Sequence, residues 1–213
     1  MTFSEILADL LTGAMVTVQI AVGAWAVSAL LGMLFAVARD RGMRAAVIPI
    51  SVLVTVLRSI PQLVVLYLLY FGIGALGVDV PPLIAAILAL GVTDAAFSAE
   101  YYRAGFMTVP ATQREAGLSL GLSPLKVMRL VIIPQTIPFV VPPLLNSFVG
   151  LLKTATLAAA VGAPEILYRG QTVMQTTGRL VAVAAIVIGL YIVVTLPLTR
   201  LVARLERRVR AYA

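Results

Sequence analysis

The sequence has no cysteine and no histidine, and only 12% of its 213 residues are charged. The lack of cysteine excludes a disulfide scaffold. The lack of histidine removes the usual general base near neutral pH, the commonest metal ligand and the Ser/His and Cys/His nucleophile pairs, which argues against a metal hydrolase or other enzyme. No glycine-rich loop ending in Gly-Lys-Ser/Thr occurs, so any ATP chemistry must lie on another chain. The scarcity of charge is matched by 61% hydrophobic residues and a mean hydropathy of +1.05. A soluble domain is about 45–50% apolar and about 25% charged, so this chain has too little polar surface to cover a water-soluble globule. The composition describes an integral membrane protein and excludes a disordered chain or a coiled coil.

What charge there is sits in a pattern. The net charge is +7, and twelve of the sixteen basic residues fall in three groups. Arg39, Arg41 and Arg44 follow the first apolar run; Arg103, Arg114, Lys126 and Arg129 lie between the third and fourth; Arg200, Arg204, Arg207, Arg208 and Arg210 end the chain. The N-terminal segment carries only the acids Glu5 and Asp9, and the turn around Asp79 has no basic residue. This alternation is the positive-inside bias, with the basic loops cytoplasmic. A nucleic-acid surface would need those residues on one folded face, so no nucleic-acid partner is expected.

About 20 apolar residues span the hydrocarbon core as a helix. On that scale the sequence divides into five spans, near residues 14–38, 45–73, 81–99, 127–152 and 180–202. The expectation is an all-α membrane protein made of a single transmembrane domain over residues 1–213, with no soluble domain, the N-terminus outside and the C-terminus cytoplasmic. The opening MTFSEILADLLTGAM has no basic segment and no small-residue cleavage site, and it reads as an interfacial amphipathic helix rather than a signal peptide. In the fourth span Pro134, Pro138 and Pro142 recur every four residues and Pro143 follows. Each removes a backbone donor, so this helix is expected to be buried in protein, either as a kinked core helix or as a wall of the pathway. After it, an apolar run of about ten residues from Leu157 is too short to span. It reads as a re-entrant half-helix or a loop helix on the outer side.

The polar stretch at about residues 110–126 has the most explicit local design. Pro110 precedes ATQREAGLSL, on which Ala111, Glu115, Leu118 and Leu122 fall on one helical stripe. Gly121 stands where a left-handed cap belongs, and Ser123 with Pro124 gives an N-cap followed by proline at the first helical position. The stretch therefore specifies helix, sharp turn, helix. Gly117 and Gly121 are one turn apart and would let a partner approach closely, as a docking element requires.

Glu115, Ala116 and Gly121, with Pro134 thirteen residues later, match the spacing of the EAA motif of the membrane subunits of bacterial ABC importers. Gly117, Val131 and Ile133 depart from that motif by small or aliphatic exchanges. AAFSAEYYRAG (residues 95–105), RSIPQLVVLYLLYFG (58–72) and LLKTATLAAAVGAPEIL (151–167) resemble further segments of the polar amino-acid permeases of the histidine, glutamine and arginine type. Thr154, Ile60 and Gln62 differ from residues common there, so no particular solute is implied. The resemblance covers nearly the whole chain. It implies the transmembrane permease of a type I ABC importer in the bacterial cytoplasmic membrane, paired with itself or a similar permease. It further implies two cytoplasmic ATPase subunits, which would bind the ATP and Mg, and an extracytoplasmic binding protein that delivers an amino acid or similar small polar solute. In this reading Glu115, Ala116, Gly117, Gly121, Ser123 and Pro124 form the coupling element that meets the ATPase, and this chain holds no cofactor or metal.

Polar groups at membrane depth are costly and usually face a cavity or a partner. Asp94, about one turn from Ser98, is open to two readings: it receives the amino group of a solute, or it is satisfied within the protein, for instance by Arg58. Arg58 would clamp a carboxylate, pair with Glu100 or reach headgroups, and Gln62 follows it by one turn. Asn146 and Lys153 complete the candidates for the solute pathway. The competing function is an ion-gradient-driven secondary transporter using Asp94, Arg58 and Glu100 as a charge relay. Five spans without an obvious inverted repeat argue against it.

Overall fold

The computed structural model describes residues 1–40 and 44–210; Arg41 lies outside them. In chain order the helices are α1 (Phe3–Asp40), α2 (Arg44–Ser59), α3 (Gln62–Tyr67), α4 (Pro82–Phe106), α5 (Ala111–Ser119), α6 (Pro124–Val127), α7 (Ile133–Thr154), α8 (Ile166–Thr177) and α9 (Leu180–Arg210). A π turn, Leu68–Gly72, extends α3; a second, Met128–Ile132, joins α6 to α7; and a 3-10 segment, Ala155–Val161, extends α7. There is no strand among the described residues.

Four continuous helical stretches are long and apolar enough to cross a membrane: Phe3–Asp40, Pro82–Phe106, Pro124–Val161 and Leu180–Val209. Residues 45–73 do not form one straight helix. Val47–Ser59 and Gln62–Gly72 meet at 103°, because Pro61 has no N–H and holds an extended conformation (φ −58°, ψ 132°) that α2 cannot continue through.

α1 and α4 make the central pair. Their contact is lined by small residues: a Cβ on Gly32 would stand 2.6 Å from the Cβ of Ser98, and one on Gly91 would stand 2.7 Å from the Cβ of Val27. Ala85, Ala86, Ala89, Ala95, Ala96 and Ala99 of α4 are fully buried. Small side chains bring two backbones close, which is how helices associate without a hydrophobic drive between them.

The N-terminal segment is not a separate interfacial helix. It runs without a break into the first span, because Ile6, Leu10, Gly13 and Thr17 continue the buried stripe of α1 and pack on α8 and α9 through Ile166, Val173, Val183 and Val187.

The proline-rich helix α7 stays helical through Pro138, Pro142 and Pro143. Within this chain Pro142 is buried, whereas Pro134 and Pro138 lie on the exposed side beside Ile137. The π turn Met128–Ile132 sits where Pro134 withdraws its N–H from the carbonyl of Leu130, and the side-chain amide Nε2 of Gln135 donates to the next carbonyl, Val131, at 2.8 Å. The apolar run after Lys153 forms the 3-10 extension of α7 and ends at Gly162 (φ +81°). A new α-helix begins only at Ile166.

Candidate functional site

The predicted helix-turn-helix is present as α5 and α6. The N–H of Leu122 donates to the carbonyl of Gly117 (3.2 Å) and that of Gly121 to Leu118 (2.9 Å), with Gly121 at φ +79°. This is the paired bonding of a Schellman cap, which a residue with a Cβ adopts only with strain. Ser123 caps α6 by accepting the N–H of Lys126 (3.4 Å). The two glycines have different jobs, contrary to their shared role in the sequence reading. Gly117 is buried beneath Val127, whose Cγ2 would lie 2.9 Å from an added Cβ, whereas nothing lies within 4 Å of a Cβ on Gly121. The close approach is therefore made by α6 of the same chain. Ala111, Glu115 and Leu118 of the predicted stripe are exposed, as are Ala116, Leu120 and Leu125. The motif presents a rigid turn with Glu115, Leu118, Leu120 and Leu125 facing outward.

The second site lies at mid-span. A cavity of about 270 Å³ is lined by Gln62 of α3, Asp94, Phe97 and Tyr101 of α4, and Asn146, Ser147 and Thr154 of α7. Asp94 is 9% exposed. Its Oδ2 accepts the hydroxyls of Ser28 (2.6 Å) and Ser147 (2.5 Å), and Ser28 in turn receives Ser98 at 2.7 Å. A hydroxyl has one proton, so Ser28 bonded to Asp94 acts as the acceptor toward Ser98. Both bonds fall on one oxygen. Oδ1 has no protein donor among the described residues, and no cation pairs with Asp94 there.

The structure brings Gln62, Asp94 and Asn146 into one cavity, places Ser98 behind it against Ser28, and leaves Lys153 exposed outside it. Neither partner expected for Arg58 is found. Asp94 is held by serines, and Glu100 is taken by Arg39 (2.5 Å) and Arg103 (2.9 Å). The guanidinium of Arg58 instead stands over the ring of Phe97, 5.2 Å from its centre, and so borders the cavity through that ring. Ser28 and Ser147 were not among the predicted site residues. The available signals were a hydroxyl inside the first apolar run and one directly after Asn146.

A third polar centre pins the end of α1 remote from Arg39. Glu165 is fully buried and caps α8 by accepting the N–H of Tyr168 at 2.7 Å. Tyr191 of α9 donates to its other oxygen at 3.4 Å, and Thr17 of α1 accepts the N–H of Ile166 at 3.2 Å. Burial pushes the Glu165 carboxyl above the ordinary carboxylate range; the N–H groups of Leu167 and Tyr168 and the hydroxyls of Tyr191 and Thr17 oppose this. Further outward, one turn along α8 and about two turns along α1, Arg169 pairs with Asp9.

Residues 28–211 match the family described as binding-protein-dependent transport system inner membrane component. The chain belongs to this family. It is a permease component of an ABC transport system. A probable amino-acid ABC transporter permease of Sinorhizobium fredii is 34% identical over 93% of this chain and 86% of its own length. The glutamine transport system permease of Escherichia coli K12 is 30% identical over 94% of this chain and 93% of its own. A solved amino acid ABC transporter, crystallised with histidines, superposes with a TM-score of 0.85 at 29% identity, covering 98% of this chain and 99% of that one. Members of the family are transport components and not themselves catalytic, and the motif quoted from the sequence begins in α5 of this chain and runs through α6 and the π turn to Pro134 at the start of α7.

Proposed function

We propose that this permease imports an amino acid or a similar amine-bearing small solute, and that the solute passes the cavity at Asp94. The observation that carries the proposal is the division of labour on that cavity-lining carboxylate: two serines hold Oδ2, and Oδ1 has no protein donor among the described residues. A carboxylate at this depth is stabilised by a cation, and an ammonium group supplies one. Gln62, Asn146 and Thr154 add neutral hydrogen-bonding groups around it. The names of the relatives, amino-acid and glutamine permeases, agree with that chemistry.

In this reading the whole chain is one permease domain in the bacterial cytoplasmic membrane. It has five spans when α2 and α3 count as one broken span, the basic segments are inside and the N-terminus is outside. The bonds of Gly121 and Ser123 hold α5–α6 stiff enough to seat in an ATPase subunit, with Glu115 exposed toward it. ATP and Mg bind on the two ATPase subunits. A second permease covers the exposed proline face of α7, whose freed carbonyls need protein or cavity water at membrane depth. An extracytoplasmic binding protein supplies the solute.

The test is uptake in proteoliposomes that contain the chain with its ATPase subunits and binding protein. The expected result is uptake that requires ATP and the binding protein. Uptake in ATP-free vesicles under an ion gradient would assign the chain to the secondary transporters instead.

A further inference from the structure

Two consecutive residues at the end of α1 fasten two different elements. Arg39 donates to Glu100 of α4 at 2.5 Å, and Asp40 accepts the guanidinium of Arg114 of α5 at 2.7 Å. The helix-turn-helix already has a covalent path into α7 through α6 and the π turn, and the amide of Gln135 on α7 reinforces it by donating to Gln113 at 2.6 Å. Arg114–Asp40 is a separate tie, to a helix 74 residues earlier in the sequence. Gln113 and Arg114 are therefore fastened to the two helices, α7 and α1, whose Ser147 and Ser28 hold Asp94.

α1 has no proline and no break from Phe3 to Asp40. The twelve residues from Ser28 to Asp40 form a stiff stretch of about 18 Å. The pair is partly shielded, with Asp40 22% and Arg114 39% exposed, and it borders a cavity of about 620 Å³. An isolated surface ion pair contributes little to stability. This one ties α5 directly to α1, across 74 residues of sequence.

We infer that Asp40 and Arg114 are a positioning pair that passes displacement of α5 to α1, and through Ser28 to the Asp94 cavity. The inference rests on α5–α6 being the element that meets the ATPase. Neither residue touches the solute, so loss of the pair leaves the ATPase bound and hydrolysing but lowers the solute imported per ATP.

The experiment uses the assembled transporter in proteoliposomes and measures that ratio for Asp40→Asn, Arg114→Gln and the double variant. Each single change is expected to lower the ratio about threefold or more, and the double variant to be no worse than either single, because both remove one contact. Unchanged ratios in the singles, or losses that multiply in the double, overturn the inference. A second variant guards against misfolding. The chain has no cysteine of its own, so Asp40→Cys with Arg114→Cys gives it two thiols that a short bifunctional thiol reagent can bridge before assembly with the partner subunits. The bridged form is expected to import with the unmodified ratio, whereas arrest on bridging would mean that the two elements separate during the cycle and would overturn the inference. If the unmodified chain fails to hold the ATPase subunits, the docking reading itself fails. If it holds them and the variants match it, only the Asp40–Arg114 route fails.

Discussion

Ser28 of α1 donates a 2.6 Å hydrogen bond to Asp94 of α4, and the backbones that carry them are close enough that a Cβ on Gly32, one turn along, would stand 2.6 Å from Ser98. The close approach and the polar contact depend on each other. A helix pair spaced by ordinary side chains would hold Ser28 out of reach and leave the carboxylate with one donor, Ser147. The α1–α4 seam therefore sets both the packing of the bundle and the state of the cavity.

Gly32→Leu is expected to lower thermal stability by about 1–3 kcal/mol through overpacking and to reduce uptake by moving Ser28 away. Gly189→Ala is the control, since nothing lies within 4 Å of that site in α9 and alanine is the better helix former by about 1 kcal/mol. Unfolding in detergent, followed by circular dichroism, separates the two. Equal stability for both variants contradicts the account of the seam.

At Gly121 the cost is one of backbone conformation alone. Its φ of +79° disfavours any residue with a Cβ, and the space around it is open. Gly121→Ala should cost about 1–2 kcal/mol locally, and Gly121→Asn less. ATP-driven uptake should fall in the order glycine, asparagine, alanine. Full coupling in Gly121→Pro, whose φ is fixed near the opposite sign, would contradict the assignment of this turn.

Glu165 gives the chain a pH dependence. Its carboxyl titrates above its ordinary value in the folded protein because burial disfavours the charge. The folded state then binds a proton more tightly than the unfolded chain does. The corresponding stability is fully present below the ordinary carboxylate pKa and is lost as pH rises through the folded value. Glu165→Gln keeps an oxygen to cap Tyr168 and removes the charge. Its melting temperature should exceed that of the parent at neutral pH and approach it under acidic conditions. A parent melting temperature that rises from acidic to neutral pH while that of Glu165→Gln stays flat would contradict this.

The turn chemistry was legible in the sequence because it is local: Pro110, Gly121, Ser123 and Pro124 dictate α5 and α6 through bonds within a few residues. The membrane character and the apolar stretches were legible for a similar reason, since composition and length decide them. The cavity was legible only in part. Asp94, Gln62 and Asn146 stood out as polar groups in apolar runs, but the serines that hold Asp94 are 66 and 53 residues away in sequence, and no spacing rule reaches that far. Arg58 and Asp94 attract each other on paper, yet the bend at Pro61 lays Arg58 on Phe97 instead. The uninterrupted α1 was hidden because its first turns pack on α8 and α9, which come from the other end of the chain.

Asp94→Asn in the assembled transporter tests the central claim most directly, through uptake of amine-bearing solutes compared with the amount of complex recovered. Asparagine keeps the shape and an oxygen for Ser28 and Ser147 and removes the charge left for the solute. Uptake is expected to fall about tenfold or more, the equivalent of one charged hydrogen bond, with recovery of the complex unchanged. Uptake equal to the parent's in a variant that assembles normally would contradict the claim that the solute passes at Asp94.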